Sequence, residues 1–275
     1  MRSKLLVQKG KRFLKRWLFN TQPAMQSHPK YSIMETSIKG ESDYYLETKS
    51  KNKIFSHNRE CLDGAFDKIF QKNIYDFNTD KKSPVILDCG ANIGLGVIYW
   101  KEKFPQSKII AFEPSREVFN TLTRNVAYNN FSDVLCVNKA LGDSESQATF
   151  TANEGVSGSL VMEKSLSVEY TVEVTRLSNY MTEEIDFLKL DIEGSEKYVI
   201  PEIAGKLHLV RNIFIEYHSF THEQQYLSSI LKLLEENNFR YYIEGEYAHD
   251  APLAREHVSL MQDLQVSIWA NRQNK

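Results

Sequence analysis

Five polar residues that could do chemistry each follow a short, mostly apolar run of the sequence. They are four carboxylates and one amide: Asp88, Glu113, Asn138, Asp191 and Glu216. If the runs are strands of one wound sheet, these residues end the strands at the carboxyl edge, where such sheets bind ligands. A single acidic loop residue needs no function. Five polar residues at the same predicted edge indicate a binding site.

The turn after the first apolar run reads Asp-x-Gly-x-Asn-x-Gly from Asp88 to Gly94. A strand that enters a helix through a glycine-rich turn builds a nucleotide site, because glycine lets the backbone approach the ligand. The first N–H groups of the helix also face that ligand. The dinucleotide fingerprint Gly-x-Gly-x-x-Gly is not met, since Asn92 and Leu95 occupy two of its glycine positions counted from Gly90.

S-adenosylmethionine suits this turn better than a dinucleotide does. It carries an ammonium, a carboxylate, a sulfonium and a ribose but no phosphate, and Asp88 would repel a pyrophosphate. A carboxylate at the strand end, together with glycine backbone groups, can bind the zwitterionic amino-acid part of this molecule. We therefore expect Gly90 and Asn92 near the methionine part of S-adenosylmethionine.

Alternating strand and helix patterns from Val85 onward predict an α/β fold with a doubly wound sheet. The predicted core strands are 85–88, 108–112, 134–137, 186–190 and 213–215. The last two strands, 240–244 and 264–270, have only a polar loop between them and must pair antiparallel. Helices are predicted at 115–128 and 222–237. The expected sheet has seven strands and is mostly parallel, with an antiparallel last strand and a small N-terminal cap.

Three regions are predicted along the chain: a basic extension (1–40), a cap segment beside the ligand cleft (41–84) and the main domain (85–275). Residues 1–34 hold 8 of the 34 basic residues and none of the 36 acidic ones, so the remainder has 26 basic against 36 acidic residues. Residues 1–20 mix these basic residues with leucine and aromatic residues. They form either a solvated terminus or a peripheral contact with an anionic membrane surface.

Two further features concern location and mobility. Cys61, Cys89 and Cys136 are odd in number and have no metal-site spacing, so we expect free thiols in a reducing, cytoplasmic compartment, with membrane association left open. No run approaches the length of about 18 apolar residues that a transmembrane helix needs. An excursion at 144–175 contains a glycine-bearing segment, 153–159, that is either a lid or a hairpin turn.

Four motifs stand in order along the predicted sheet: 88–94, 112–114, 140–143 and 188–194. Together they resemble the FkbM family of S-adenosylmethionine-dependent methyltransferases, over about residues 85–217. The resemblance implies a Rossmann-like class I fold and methyl transfer to a hydroxyl oxygen of a sugar, glycan or secondary metabolite. Gly96 and Ser178 depart from the family pattern, which often has serine or threonine at the first position and aspartate at the second.

The resemblance and the strand ends together indicate which residues bind each part of the cofactor. Glu113 should accept hydrogen bonds from both ribose hydroxyls, because a carboxylate offers two oxygens and charge-assisted bonds are strong. Asn138 and Ala140 should border the adenine edge. The predicted cofactor-binding residues are Asp88, Gly90, Asn92, Gly94, Glu113, Pro114, Ser115, Asn138, Ala140 and Asp191.

Methyl transfer from a sulfonium is a direct displacement, so alignment of the reactants contributes heavily. A hydroxyl acceptor must also lose its proton or be polarised by a metal. We predict His218, Asp191 and Glu216 as the catalytic residues, with His218 in the role of a base or of a positioning residue. The less favoured alternative is that these three residues hold Mg²⁺ or another hard divalent cation. Glu193 either binds the methionine ammonium or starts its helix.

The sequence also predicts the class of partner, and two alternative classes of protein stay open. The expected partner is a small-molecule or glycan hydroxyl and not a nucleic acid, since no Asn/Asp-Pro-Pro-Tyr/Phe motif follows the fourth core strand. A dinucleotide-binding enzyme and a non-catalytic Rossmann-like protein are the alternatives.

Overall fold

The computed structural model describes residues 33–38, 41–153, 158–159, 167–246 and 262–273. In chain order the elements are β1 (Ile33–Ile38), β2 (Glu41–Glu47), β3 (Lys53–Ser56), α1 (Arg59–Phe66), a π-helical turn (Asp67–Gln71), β4 (Val85–Cys89), α2 (Leu95–Lys103), β5 (Lys108–Phe112), α3 (Arg116–Tyr128), β6 (Val134–Val137), β7 (Ala140–Gly142), β8 (Ser146–Asn153), β9 (Gly158–Ser159), β10 (Ser167–Arg176), a 3₁₀ turn (Leu177–Tyr180), β11 (Ile185–Leu190), α4 (Glu196–Glu202), a 3₁₀ turn (Ala204–Leu209), β12 (Val210–Phe220), α5 (Leu227–Glu236), β13 (Phe239–Gly245) and β14 (Gln262–Arg272).

The central sheet has seven strands in the order β13-β14-β12-β11-β4-β5-β6. Four of its six pairings are parallel, and β14 runs antiparallel to both neighbours. This confirms the predicted doubly wound, seven-stranded sheet with an antiparallel last strand. The chain winds from β4 to β6 in one direction and then returns to the other side of β4 at β11. The switch point, where such sheets bind ligands, therefore lies between β4 and β11.

The two strands at the switch point are buried along their whole length. Most of their side chains are apolar and join the core, as parallel strands covered on both faces require. Two charged residues interrupt β11. Asp186 accepts a hydrogen bond from the Val85 backbone N–H (2.9 Å) and pairs with Lys81 (3.1 Å), so it fastens the start of β4. The second charged residue, Lys189, lies at the carboxyl end.

Helix α3 holds the N-terminal sheet β1-β2-β3 against the main sheet. The Asn125 side chain pairs with both backbone groups of Phe55 (2.8 and 3.1 Å) and also donates to the Ile93 carbonyl (2.8 Å). Asn129 makes the same double contact with the Lys53 backbone, at 2.8 Å each. The two asparagine side chains thus supply backbone hydrogen bonds that a neighbouring strand would otherwise make with edge strand β3. Strands β2 and β3 lie in the segment 41–84 that was predicted as a cap.

The fifth core strand is longer than predicted. It was expected to end at Ile215, but β12 continues to Phe220, and Glu216 and His218 lie inside it. The extension exists because β14 pairs with β12 beyond the point where the parallel neighbour β11 has ended. For the same reason the following helix begins at Leu227 and not at residue 222. Since side chains alternate along a strand, Glu216 and His218 lie on the same face.

The excursion after β6 forms a second sheet, in the order β7-β10-β8-β9. The predicted lid at 153–159 lies in part outside the described residues, and the basic segment 1–20 lies wholly outside them. Cys61, Cys89 and Cys136 are free thiols, as predicted. In the part of the chain that the structure describes, no helix is long and apolar enough to span a membrane.

Replacing Gly90 by alanine should destabilise the fold. Gly90 has φ +83°, and a Cβ there would run into the backbone carbonyl of Asp191 on the neighbouring strand end. We expect a loss of at least about 2 kcal/mol in the free energy of unfolding, measured by urea denaturation. The control is Gly64→Ala in α1, where a Cβ meets nothing within 4 Å. Equal stabilities for the two variants would contradict this account of the switch point.

Candidate functional site

The site is built around a buried lysine, Lys189, at the end of β11. Its Nζ lies 3.3 Å from Asp88 Oδ1 and 3.5 Å from Asp191 Oδ2, and it donates a hydrogen bond to the Gly90 carbonyl (2.7 Å). Burial disfavours the ammonium, but the acidic groups around it, Tyr75 and the two aspartates among them, hold its pKa well above the ordinary value. One cation therefore joins the ends of two adjacent strands.

Asp88 is almost fully buried; its Oδ1 faces Lys189 Nζ at 3.3 Å, and its Oδ2 has no hydrogen-bond partner among the described residues. Burial raises its pKa, against the opposing effect of Lys189. A Cβ at position 96 would lie 3.1 Å from Asp88 Oδ2, so Gly96 keeps the space beside this carboxylate open. A buried carboxylate with unused acceptor positions is costly unless a donor reaches it, which favours a ligand contact here.

Glu113, at the end of β5, holds the turn that follows β4. Its Oε2 accepts a hydrogen bond from the Asn92 N–H (3.0 Å), and its Oε1 accepts one from the Ser115 N–H (2.8 Å). Burial raises its pKa to about 7, although these two hydrogen bonds oppose the rise. A carboxylate oxygen has two acceptor positions, so each oxygen can still accept a further donor. Ser115 also caps α3 through its side chain, which accepts the Val118 N–H.

Asn138 supports the turn that follows β5, and Gly94 stands at the end of the turn that follows β4. The Asn138 amide donates to the carbonyls of Glu113 (2.9 Å) and Pro114 (3.1 Å), so it holds the turn that carries Glu113. Gly94 has φ +90°, and a Cβ there would lie 2.7 Å from Leu122 of α3. Ala140 is buried in the second sheet against Val172 and Val174. The predicted contacts of Asn138 and Ala140 with adenine stay predictions.

The turn after Asp191 is sharp and is held by a buried glutamate. Glu193 has φ +54° and Gly194 has φ +98°, so the backbone passes twice through the left-handed region. Glu196 is fully buried, and its two oxygens accept the N–H groups of Ile192 (3.0 Å) and Gly194 (2.9 Å). The turn therefore keeps Asp191 and Glu193 at a defined place on the rim of the site, by which we mean the carboxyl edge of the sheet and the turns that follow its strands.

His218 faces this turn from β12. Its Nδ1 lies 3.3 Å from Glu196 Oε1, and its Nε2 lies 3.7 Å from Glu193 Oε2 and 4.0 Å from Glu216 Oε1. Burial alone would lower the pKa of His218, but Glu196 and Glu193 outweigh it and raise the pKa to about 10. The raised pKa favours the protonated, hydrogen-bond-donating form of His218 at neutral pH, and its role as a base or a positioning residue stays a prediction.

The remaining carboxylates of this cluster titrate close to neutral pH. Burial raises the pKa of Glu193 to about 7, and burial together with Asp191 does the same for Glu216. Within the described residues, the donor atoms of Asp191, Glu193 and His218 lie within 4.8 Å of one another, a spacing that could hold a metal ion. The predicted metal set had Glu216 in place of Glu193. Glu216 instead accepts a hydrogen bond from the Gln265 side chain.

The motifs that form this site match a known family. Residues 88–241, more than half of the chain, match the family described as the methyltransferase FkbM domain. The chain belongs to the FkbM methyltransferase family. The fold is accordingly the Rossmann-like class I methyltransferase fold, as predicted, and the protein is a methyltransferase.

Two relatives with similar sequences agree with this membership. The chain is 31% identical over 188 residues to methyltransferase sdnD of Sordaria araneosa, covering 55% of this chain and 73% of that one. It is 29% identical over 175 residues to methyltransferase 1 of Beauveria bassiana (54% and 70%). Among solved structures, methyltransferase FkbM from Methylobacillus flagellatus KT aligns with a TM-score of 0.44 and 15% identity, over 70% of this chain and 45% of that one.

In this FkbM methyltransferase, residues that precede the matched family domain also lie at the site. The Tyr75 ring lies 5.6 Å from Lys189 Nζ, at the centre of the site. Lys68, in the π-helical turn, pairs with Glu246 at 2.8 Å and lowers the pKa of Glu246, although burial opposes this. Lys68 also acts electrostatically on Glu216. The segment before β4 therefore borders the side of the site that carries Glu216.

Sequence reasoning missed three residues of the FkbM site: Lys189, Glu196 and Tyr75. A signal existed for Lys189, because a lysine inside the otherwise apolar end of a core strand needs a buried partner. A weaker signal existed for Glu196, a carboxylate three residues after Glu193. No local pattern marks Tyr75, whose position depends on tertiary packing.

Proposed function

We propose that the chain is an S-adenosylmethionine-dependent O-methyltransferase that acts on a hydroxyl group of a sugar, glycan or secondary metabolite. Membership of the FkbM family supports methyl transfer. The observation that carries the cofactor proposal is a pair of buried carboxylates, Asp88 and Glu113, at the ends of adjacent strands β4 and β5. Both retain unused acceptor positions beside the Gly90–Gly94 turn.

The carboxylates of the rim match the hydrogen-bond donor groups of S-adenosylmethionine. Asp88 would receive the ammonium of the methionine part on Oδ2, because this oxygen is buried without a hydrogen-bond donor among the described residues. Glu113 would receive the ribose hydroxyls on its free acceptor positions, and Asn138 would hold the turn beside the adenine. When bound, S-adenosylmethionine supplies a methyl group on a positively charged sulfur.

The acidic cluster supplies a place for the acceptor. We propose that the acceptor hydroxyl lies among Asp191, Glu193 and Glu216, with the protonated His218 as a donor that orients it. The proton of the hydroxyl then passes to a carboxylate of this cluster. The pKa of Glu193 and that of Glu216 are each about 7, close to the working pH, which favours efficient proton transfer.

A divalent cation is the second candidate for activating the hydroxyl. Asp191, Glu193 and His218 offer oxygen and nitrogen donors at suitable mutual distances. His218 would have to release its proton to serve as a ligand, because a metal binds the neutral imidazole. A cation held there would lower the pKa of the hydroxyl. Addition of EDTA or Mg²⁺ to the assay distinguishes the two candidates.

The affinity for S-adenosylhomocysteine should depend on the charge of Glu113. The pKa of Glu113 is about 7, so lowering the pH from 8 to 6 protonates it and should weaken binding about tenfold. Glu113→Gln should bind about thirtyfold more weakly at pH 8, since a charge-assisted hydrogen bond contributes about 2 kcal/mol. Calorimetric titrations measure both effects.

The matched control for this titration is Glu117→Gln, an exposed glutamate in the first turn of α3. It should keep the affinity and the pH dependence of the wild type. The difference between wild type and Glu113→Gln isolates the contribution of Glu113 from those of other groups that titrate nearby. Equal affinity in wild type and Glu113→Gln at every pH would remove the ribose assignment.

Methyl transfer is tested directly with labelled S-adenosylmethionine and a panel of sugars and metabolite alcohols. We expect the label on a hydroxyl oxygen of the product, identified by NMR. Asp191→Asn should lower the rate by a factor of at least about 100, the usual contribution of a group that assists proton transfer. The exposed Asp80→Asn serves as the control. A label found on nitrogen or carbon would refute O-methylation, and S-adenosylhomocysteine binding without any transfer would favour the non-catalytic alternative.

A further inference from the structure

Glu196 is the most deeply buried acidic residue of the rim, with no exposed surface. A buried carboxylate is costly unless several donors reach it. Glu196 has three such contacts: the N–H groups of Ile192 and Gly194 and ring atom Nδ1 of His218. It therefore connects the end of β11 with the middle of β12.

The two backbone contacts of Glu196 satisfy N–H groups of the turn that follows β11. Glu193 and Gly194 adopt left-handed backbone angles, so the N–H groups around them cannot join a strand or helix ladder. A side-chain acceptor at position 196 satisfies two of these groups. Because the carboxylate holds both, the place of Asp191 and Glu193 on the rim depends on it.

The third contact determines how the His218 ring lies. The backbone of β12 is held by β14 at this point of the sheet, since His218 pairs with Gln265. The ring can then vary only by rotation of its side chain. With Nδ1 against Glu196, the opposite atom Nε2 faces Glu193 and Glu216. An imidazole held by a carboxylate through one nitrogen presents the other in a defined direction.

We propose that Glu196 is a positioning residue of the methyl-transfer site. It holds the turn from Asp191 to Gly194 and the His218 ring in one arrangement, with Nε2 directed toward the acceptor. Glu196 itself touches neither cofactor nor acceptor and acts through the residues that it holds. This inference rests on the proposed function for its consequence in catalysis, but the arrangement can be measured without any acceptor.

The test compares two glutamates of the same short helix, α4. Glu196→Gln removes the negative charge that faces His218 and replaces one of the two acceptor oxygens by an NH₂ group. Glu202→Gln is the matched control, because Glu202 also accepts a backbone N–H and a hydroxyl, both from Ser178, and has no contact with His218 among the described residues. The readout is the pair of ring ¹⁵N resonances of His218, assigned with His218→Asn, together with the dissociation constant of S-adenosylhomocysteine.

We expect Glu196→Gln to shift both ring resonances of His218, while Glu202→Gln leaves them at the wild-type positions. The affinity for S-adenosylhomocysteine should change by less than about threefold in both variants, because the cofactor contacts lie elsewhere. With an acceptor in hand, Glu196→Gln should lower turnover about 10–100-fold, the effect usual for removing an orienting partner, without raising KM for the cofactor. Unchanged His218 resonances in Glu196→Gln would overturn the proposal.

A measurement on the wild type covers the case in which Glu196→Gln does not fold. The contact predicts a downfield Nδ1–H proton of His218 that exchanges slowly with water, because it is buried and donated to a carboxylate. A rapidly exchanging Nδ1–H would overturn the proposal as well. Failure of the wild type to bind S-adenosylhomocysteine would instead refute the proposed function and leave the His218 result standing.

Discussion

The structure depends on one buried ammonium group placed between two carboxylates. Lys189 pairs with Asp88 of β4 and with Asp191, which follows β11, and the two strands meet at the switch point of the sheet. Taking three charged groups out of water costs several kcal/mol for each, and only their mutual attraction and hydrogen bonds offset this cost. The cluster therefore requires β4 and β11 to keep their register, and it joins Asp88, the proposed cofactor contact, to Asp191, the proposed acceptor contact.

An excess of buried carboxylates is the second feature of the rim. Glu113, Glu193 and Glu216 each have a pKa of about 7, because burial disfavours their charged forms and neighbouring acids add repulsion in each case. Such a rim favours ligands that bring positive charge and hydrogen-bond donors. S-adenosylmethionine has an ammonium, a sulfonium and two ribose hydroxyls, so it meets the proposed site on chemical grounds. Protonated His218 offsets part of the same negative charge.

The sequence predicted the rim well because each core strand shows as an apolar run that stops at a polar residue. It failed where pairing partners decide the outcome. Glu216 and His218 looked like residues beyond a strand end, yet β14 extends β12 past them. That extension brings His218 against Glu196, a contact between elements that no local spacing reveals. Lys189 was visible in its motif, but its two partners became clear only from the register of β4 and β11.

The central claim is tested most directly by a double-mutant cycle between Asp88 and Lys189 on the free energy of unfolding. Asp88→Asn and Lys189→Met are measured singly and together by urea denaturation, with the exposed pair Lys232 and Glu236 as a control whose coupling should stay below about 0.5 kcal/mol. We expect a coupling of at least about 2 kcal/mol, since each single change leaves a buried charge without its partner. Additive effects of the two changes would contradict the account.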